Sequence, residues 1–154
     1  MRIRFWGVRG SIPAPGPDTT FVGGNTSCVQ VTGQDGTELI LDAGSGIRTL
    51  QAADLGDARR IHILLTHLHL DHIQGLLFFA PLFNSSAEIT VWGPPAHVPL
   101  RRRLARYLSN PLSPVEMGDL PAKVAFQDVP SDTWRLGEFV IRSSLCLLYT
   151  SPSP

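Results

Sequence analysis

Thr66-His67-Leu68-His69-Leu70-Asp71-His72 puts three imidazoles and a carboxylate within six residues, directly after the apolar run Ile61-His62-Ile63-Leu64-Leu65. A short, nearly continuous apolar run reads as a strand of the kind covered on both faces, so the polar cluster sits at a strand end. Histidines charge near neutral pH and repel one another when crowded, and a divalent cation is the physical reason to gather them. His67 and His69 are two apart, so on an extended backbone both side chains point to one side and can grip one ion. Asp71 and His72 come one step later, where the backbone turns into a helix, and their side chains can diverge toward a second ion. Nitrogen and oxygen donors of this kind suit Zn²⁺ first, with Mn²⁺ or Fe²⁺ as alternatives, and disfavour an all-oxygen Mg²⁺ or Ca²⁺ site. At this chain's own His and Asp frequencies, the spacing HxHxDH arises by accident in roughly three of ten thousand such chains. The competing reading is a solvated histidine cluster with no ligand role.

Working outward, Arg2 to Val8 mixes apolar and basic residues as an opening strand does, and Arg9 to Val22 is a Gly/Pro-rich connection. Thr26 to Thr32 and Glu38 to Asp42 read as strands joined by the turn Gly33-Gln34-Asp35-Gly36. Ala43-Gly44-Ser45-Gly46 breaks the second of them, and Ile47 to Leu55 has helical spacing. Beyond the motif, Asp71 to Phe79 is an expected helix that stops near Pro81, and Glu88 to Trp92 is a strand broken by Gly93-Pro94-Pro95. Leu100, Leu104, Tyr107 and Leu108 form the apolar stripe of a helix of about three turns. Val124 to Val129 and Trp134 to Arg142 read as the final strands. Strands alternate first with turns and then with helices, so the class is mixed α and β.

The 154 residues are 43% apolar and 17% charged with a formal charge of zero, which describes a globular domain with a real core. No global field draws it to polyanions. Cys28 and Cys146 lie far apart without a CxxC pattern, so neither a disulfide scaffold nor a cysteine zinc site is indicated, and Cys28 reads as a small buried strand residue. No segment has the length of a signal peptide's apolar core or a membrane span, so no membrane association is expected and the cytoplasm is the default location.

The motif resembles that of the metallo-β-lactamase superfamily, whose HxHxDH follows a strand and opens a helix. Met1 to Pro13, Gly23 to Cys28, Leu39 to Gly46 and Gly75-Leu76 extend the likeness toward a branch close to ribonuclease Z and cyclic-phosphodiester hydrolases. The resemblance implies the N-terminal half of an αββα sandwich. It implies that His67 and His69 bind a first zinc ion, that Asp71 and His72 bind a second, and that Asp42 sits beneath the site and orients its loops. Asp42 also has the plainer reading of a strand-ending carboxylate that satisfies turn amides, and the two are compatible. Two ions about 3.5–4 Å apart would hold a bridging hydroxide for hydrolysis, most naturally of phosphodiester bonds, with Asp71 as the catalytic group steering the water's proton. The expected substrate is a small phosphodiester or an RNA end, with homodimerisation left open. The alternatives are thioester or lactone hydrolysis on the same fold, and a catalytically incomplete metal- or RNA-binding module.

The resemblance also calls for a third histidine, a bridging aspartate and a last histidine further along, yet the sequence has no histidine after His97. Residues 1–143 are therefore expected to be the N-terminal part of one domain. Residues 144–154 resemble translated adapter read-through and are expected to be non-native or disordered. A chain truncated there would leave apolar faces uncovered and be weakly active or inactive, the activity belonging to the parent enzyme. His62 is expected to face away from the motif and His97 to be an exposed or capping residue. Arg101, Arg102, Arg103 and Arg106 read as a solvated face, and Trp6, Trp92 and Trp134 as core or edge aromatics.

Overall fold

The computed structural model describes residues 1–56 and 60–144; Cys146 and residues 145–154 of the expected tail lie outside them. Six strands form one sheet in the order β1 (Arg2–Gly7), β2 (Cys28–Thr32), β3 (Glu38–Leu41), β4 (Arg60–Leu64), β5 (Glu88–Gly93) and β6 (Lys123–Asp128). The first three run antiparallel, and β3 through β6 run parallel. Each parallel step moves to the next neighbour in one direction, and right-handed crossovers then put every connection on the same face of the sheet. That face carries the main core. Ile40, Ile61, Ile63, Ile89 and Val91 meet Ile47, Leu50, Phe79, Leu82, Leu100, Leu104 and Leu108, all of them essentially sealed from solvent. A large apolar side chain sealed in this way contributes about 1.5–3 kcal/mol by leaving water.

The opposite face is only partly covered. A hairpin of β7 (Trp134–Leu136) and β8 (Phe139–Ile141) packs Leu136, Trp134, Phe139 and Ile141 on Val31, Leu39, Leu64 and Trp92. Cα partners on neighbouring antiparallel strands share a face. Ile3 opposite Val31 and Phe5 opposite Val29 therefore extend this apolar face onto β1, where Phe5 is 68% exposed. The mixed sheet with a helical layer on one face is the mixed α and β class expected from the sequence. Among the described residues, no helix is long and apolar enough to cross a membrane.

Four expected elements differ in detail. The Ile47–Leu55 helix is instead two 3₁₀ segments, Ser45–Thr49 and Ala52–Leu55, separated where Leu50 and Gln51 are extended. The Asp71–Phe79 helix shrinks to α1 (Leu70–Ile73), followed by 3₁₀ turns at Leu76–Phe78 and Ala80–Phe83. Its cause is specific: the Gly75 N–H donates to Ala43 O at 2.9 Å instead of continuing the helix, and the backbones touch so closely that a Cβ on Gly75 would sit 2.1 Å from Gly44 O. The stripe Leu100, Leu104, Leu108 is buried as expected, but regular helix covers only α2 (Leu100–Ala105). Trp134–Arg142 is a hairpin rather than one strand, because Gly137 turns the chain at φ +54°. Ile63→Ala should lower the unfolding free energy by about 2–5 kcal/mol, read as a shift of the urea midpoint. Phe78→Ala, two-thirds exposed on the surface, should move it by no more than about 0.5 kcal/mol.

Candidate metal centre

β3 and β4 are parallel neighbours paired Leu41 to Leu64, so the residues that follow them emerge side by side at the carboxyl end of the sheet. Asp42 follows β3, and its N–H donates to Leu64 O at 2.9 Å. Leu65 is tied in turn to Trp92 O at the end of β5, and the motif begins at once. Asp42 is in the left-handed region at φ +62°, which a short polar side chain tolerates, and this turns a buried carboxylate under the motif loop. Four donors converge on it. Thr66 N–H reaches Oδ1 at 2.8 Å, Thr66 Oγ1 lies 2.9 and 3.0 Å from its two oxygens, Ser27 Oγ donates to Oδ2 at 3.2 Å, and His72 Nδ1 donates to Oδ2 at 2.7 Å. A carboxylate only accepts, so the His72 proton on this bond is fixed at Nδ1 and the lone pair faces outward on Nε2.

The three motif imidazoles are brought together, with ring centroids 4.4 Å apart for His67 and His69 and 4.0 Å apart for His67 and His72. Asp71 joins them, its Oδ2 lying 3.4 Å from His72 Nε2. The same oxygen accepts from the Ser11 N–H at 2.9 Å, and Ser11 itself has φ +67°. The Gly/Pro-rich connection after β1 thus clasps Asp71 from above. Burial raises the Asp71 carboxyl, but the Ser11 amide and the imidazoles of His72 and His67 outweigh it and hold the group below the ordinary carboxylate range. Burial, and then the neighbouring His72 and His69, lowers His67, which favours its neutral form. Burial and the Asp42 charge push the Cys28 thiol up to about 12, which makes it inert.

Among the described residues, no three His, Cys, Asp or Glu side chains already form a cage ready for a metal. The donor chemistry fits one nonetheless: neutral nitrogens and ionised oxygens are what a borderline divalent ion takes, and His72 is already fixed in the ligating tautomer. The other sequence-noted residues stay apart from the cluster. His62 faces the opposite side of β4, near the Trp92 indole N–H at 3.4 Å. His97 is exposed ahead of α2. Arg103 is spent on Pro94 O and Asp128, while Arg101, Arg102 and Arg106 point to solvent. Trp6 bonds Gln30 under the Arg4 guanidinium, and Trp92 packs on Trp134.

Sequence reasoning missed Ser11, Ser27 and Thr66 as supports. Only Thr66 had a signal, being adjacent to the motif at the strand end. Gly44 is the other tight point: a Cβ there would lie 2.4 Å from both Asp71 O and Thr26 Oγ1, so glycine is what lets the Ala43–Gly44 turn slot under α1.

The family model for the metallo-beta-lactamase superfamily matches residues 19–142. Ribonuclease Z of Deinococcus radiodurans is 39% identical over 83 residues, an alignment that takes in 51% of this chain and 24% of that protein. The chain therefore spans about a quarter of the length of this curated relative. The crystal structure of the metallo-beta-lactamase fold protein YhfI from Bacillus subtilis superposes on 90% of this chain and 49% of its own at a TM-score of 0.56. At 22% identity, that likeness concerns the fold.

Asp42→Asn keeps the left-handed backbone but sets an amide against the His72 or Thr66 donors. It should cost about 1–3 kcal/mol of metal-free stability, measured by urea denaturation. A pH series gives a second test. Burial, and then Arg60, lowers His62 in the folded state. The stability it contributes is therefore complete above the unfolded value of about 6.5 and is lost as pH falls toward the lower folded value. His62→Gln should flatten the acid side of the stability profile in that window.

Proposed function

The chain belongs to the metallo-β-lactamase superfamily, and from that premise we propose that it carries the first ligands of a metal-dependent hydrolase acting on phosphodiester bonds. One observation supports this most directly: His67, His69, Asp71 and His72 gather at the carboxyl end of the sheet on a floor pinned by Asp42. Membership in the superfamily is consistent with metal use. Zn²⁺ is the ion the donor set favours, with Mn²⁺ or Fe²⁺ next.

His67 and His69 would hold one ion through their ring nitrogens, and Asp71 with His72 Nε2 a second. Bound there, divalent ions would supply Lewis-acid polarisation of a phosphoryl oxygen and a water acidified toward neutral pKa. The chain's own residues do the rest. Asp42 fixes the His72 tautomer, and Ser11 holds Asp71 Oδ2 in place beside His72 Nε2. Asp71, kept ionised, is the group we assign to accepting the proton of the attacking water.

The phosphodiester preference rests on the Deinococcus relative named ribonuclease Z, and on a fourth position filled by His72. It makes an RNA end or a small cyclic diester the expected substrate. In the intact protein, His67→Ala with His69→Ala should abolish hydrolysis of a chromogenic phosphodiester and lower bound zinc by elemental analysis. Unchanged metal content and turnover would overturn the assignment.

A further inference from the structure

The hydroxyl of Thr66 sits between the buried carboxylate and the first histidine of the motif. Its Oγ1 lies 2.9 and 3.0 Å from the two Asp42 oxygens and 3.1 Å from His67 Nδ1, with His72 Nδ1 more distant at 3.4 Å. Proton counting decides who donates. Asp42 receives the Thr66 and His72 N–H groups and the Ser27 hydroxyl, so it acts as a carboxylate and only accepts. The single hydroxyl proton of Thr66 therefore goes to Asp42, and Oγ1 meets His67 with lone pairs alone. The short contact to His67 requires a proton on its Nδ1, which puts the ring's lone pair on Nε2.

We propose that Thr66 is a positioning residue that relays the Asp42 carboxylate to His67. One buried acid thereby sets the ligating tautomer of His67 through a hydroxyl, and of His72 directly. These two histidines are the ones assigned to different ions, so the relay gives both halves of the centre a common anchor. Its value for ion binding rests on the metal reading above, whereas the tautomer assignment stands on the hydrogen bonds.

The two can be tested apart. Long-range ¹H–¹⁵N correlation spectra of the metal-free protein at pH 8 report which ring nitrogen carries the proton. His67 and His72 should both carry it on Nδ1. Thr66→Val, close in shape but without the hydroxyl, should move His67 toward the Nε2–H form and leave His72 unchanged, and Thr66→Ser should restore the original pattern. Zinc affinity, measured by competition with a chromophoric chelator, should weaken by roughly 10–100-fold in Thr66→Val and recover in Thr66→Ser. A His67 that carries its proton on Nε2 in the unaltered protein, or keeps it on Nδ1 in Thr66→Val, overturns the relay. Predicted tautomers without zinc binding by any variant would leave the relay standing and refute the metal reading instead.

Discussion

The structure of the site depends on one carboxylate being forced under a loop. Asp42 leaves β3 in a left-handed conformation, and that geometry turns its side chain across the gap to β4 instead of along its own strand. Three groups of the motif loop hang from it: the Thr66 amide, the Thr66 hydroxyl and the His72 ring. A buried charge is costly unless its hydrogen bonds are filled, so the loop is held in the one arrangement that fills them. The acid that accepts from the His72 ring is thus also the acid that sets the loop's path.

The sheet supplies the frame on which this works. Parallel pairing of β3, β4 and β5 brings three strand ends to one edge, and the Leu64–Asp42 and Trp92–Leu65 bonds fix their relative height. The Ala43–Gly44 turn is then clamped between the entry to β2 and α1: Ala43 N–H bonds His72 O, Gly44 N–H bonds Ser27 O, and Gly75 N–H bonds Ala43 O. Any side chain at Gly44 would push these segments apart, and the motif helix with them. The core on the helical face and the hairpin packed on Leu41, Leu64 and Trp92 back these strand ends from both sides, while Ile3 and Phe5 stay open.

Much of this was legible in residue order because the deciding signals are local. The apolar run before Thr66 announced the strand, the two-residue spacing of His67 and His69 announced a shared side, and the turn Gly33-Gln34-Asp35-Gly36 announced the hairpin of β2 and β3. Helix lengths were not legible. Apolar spacing from Asp71 to Phe79 is compatible with a full helix, and only the long-range bond from Gly75 to Ala43 ends it after one turn. Thr66 and Ser11 escaped for the same reason, since a hydroxyl or an amide gains a role only when a partner 24 or 60 residues away arrives beside it. Asp42 was found because its strand-ending position could be read together with the family likeness.

On the proposed reading, a cation answers the charges of the cluster better than a proton does. Among the described residues neither Asp42 nor Asp71 pairs with a lysine or arginine; both lie against the His72 ring, Asp42 Oδ2 at Nδ1 and Asp71 Oδ2 at Nε2. A protonated imidazole could balance them, but the rings stand 4.0–4.4 Å apart, and burial together with the neighbouring rings disfavours charging His67. Under the proposed function a divalent ion would compensate both carboxylates while taking the imidazoles in their neutral form. Cys28, with its thiol raised by burial and by the Asp42 charge, stays protonated, so the same carboxylate that accepts from His72 also suppresses thiolate chemistry nearby.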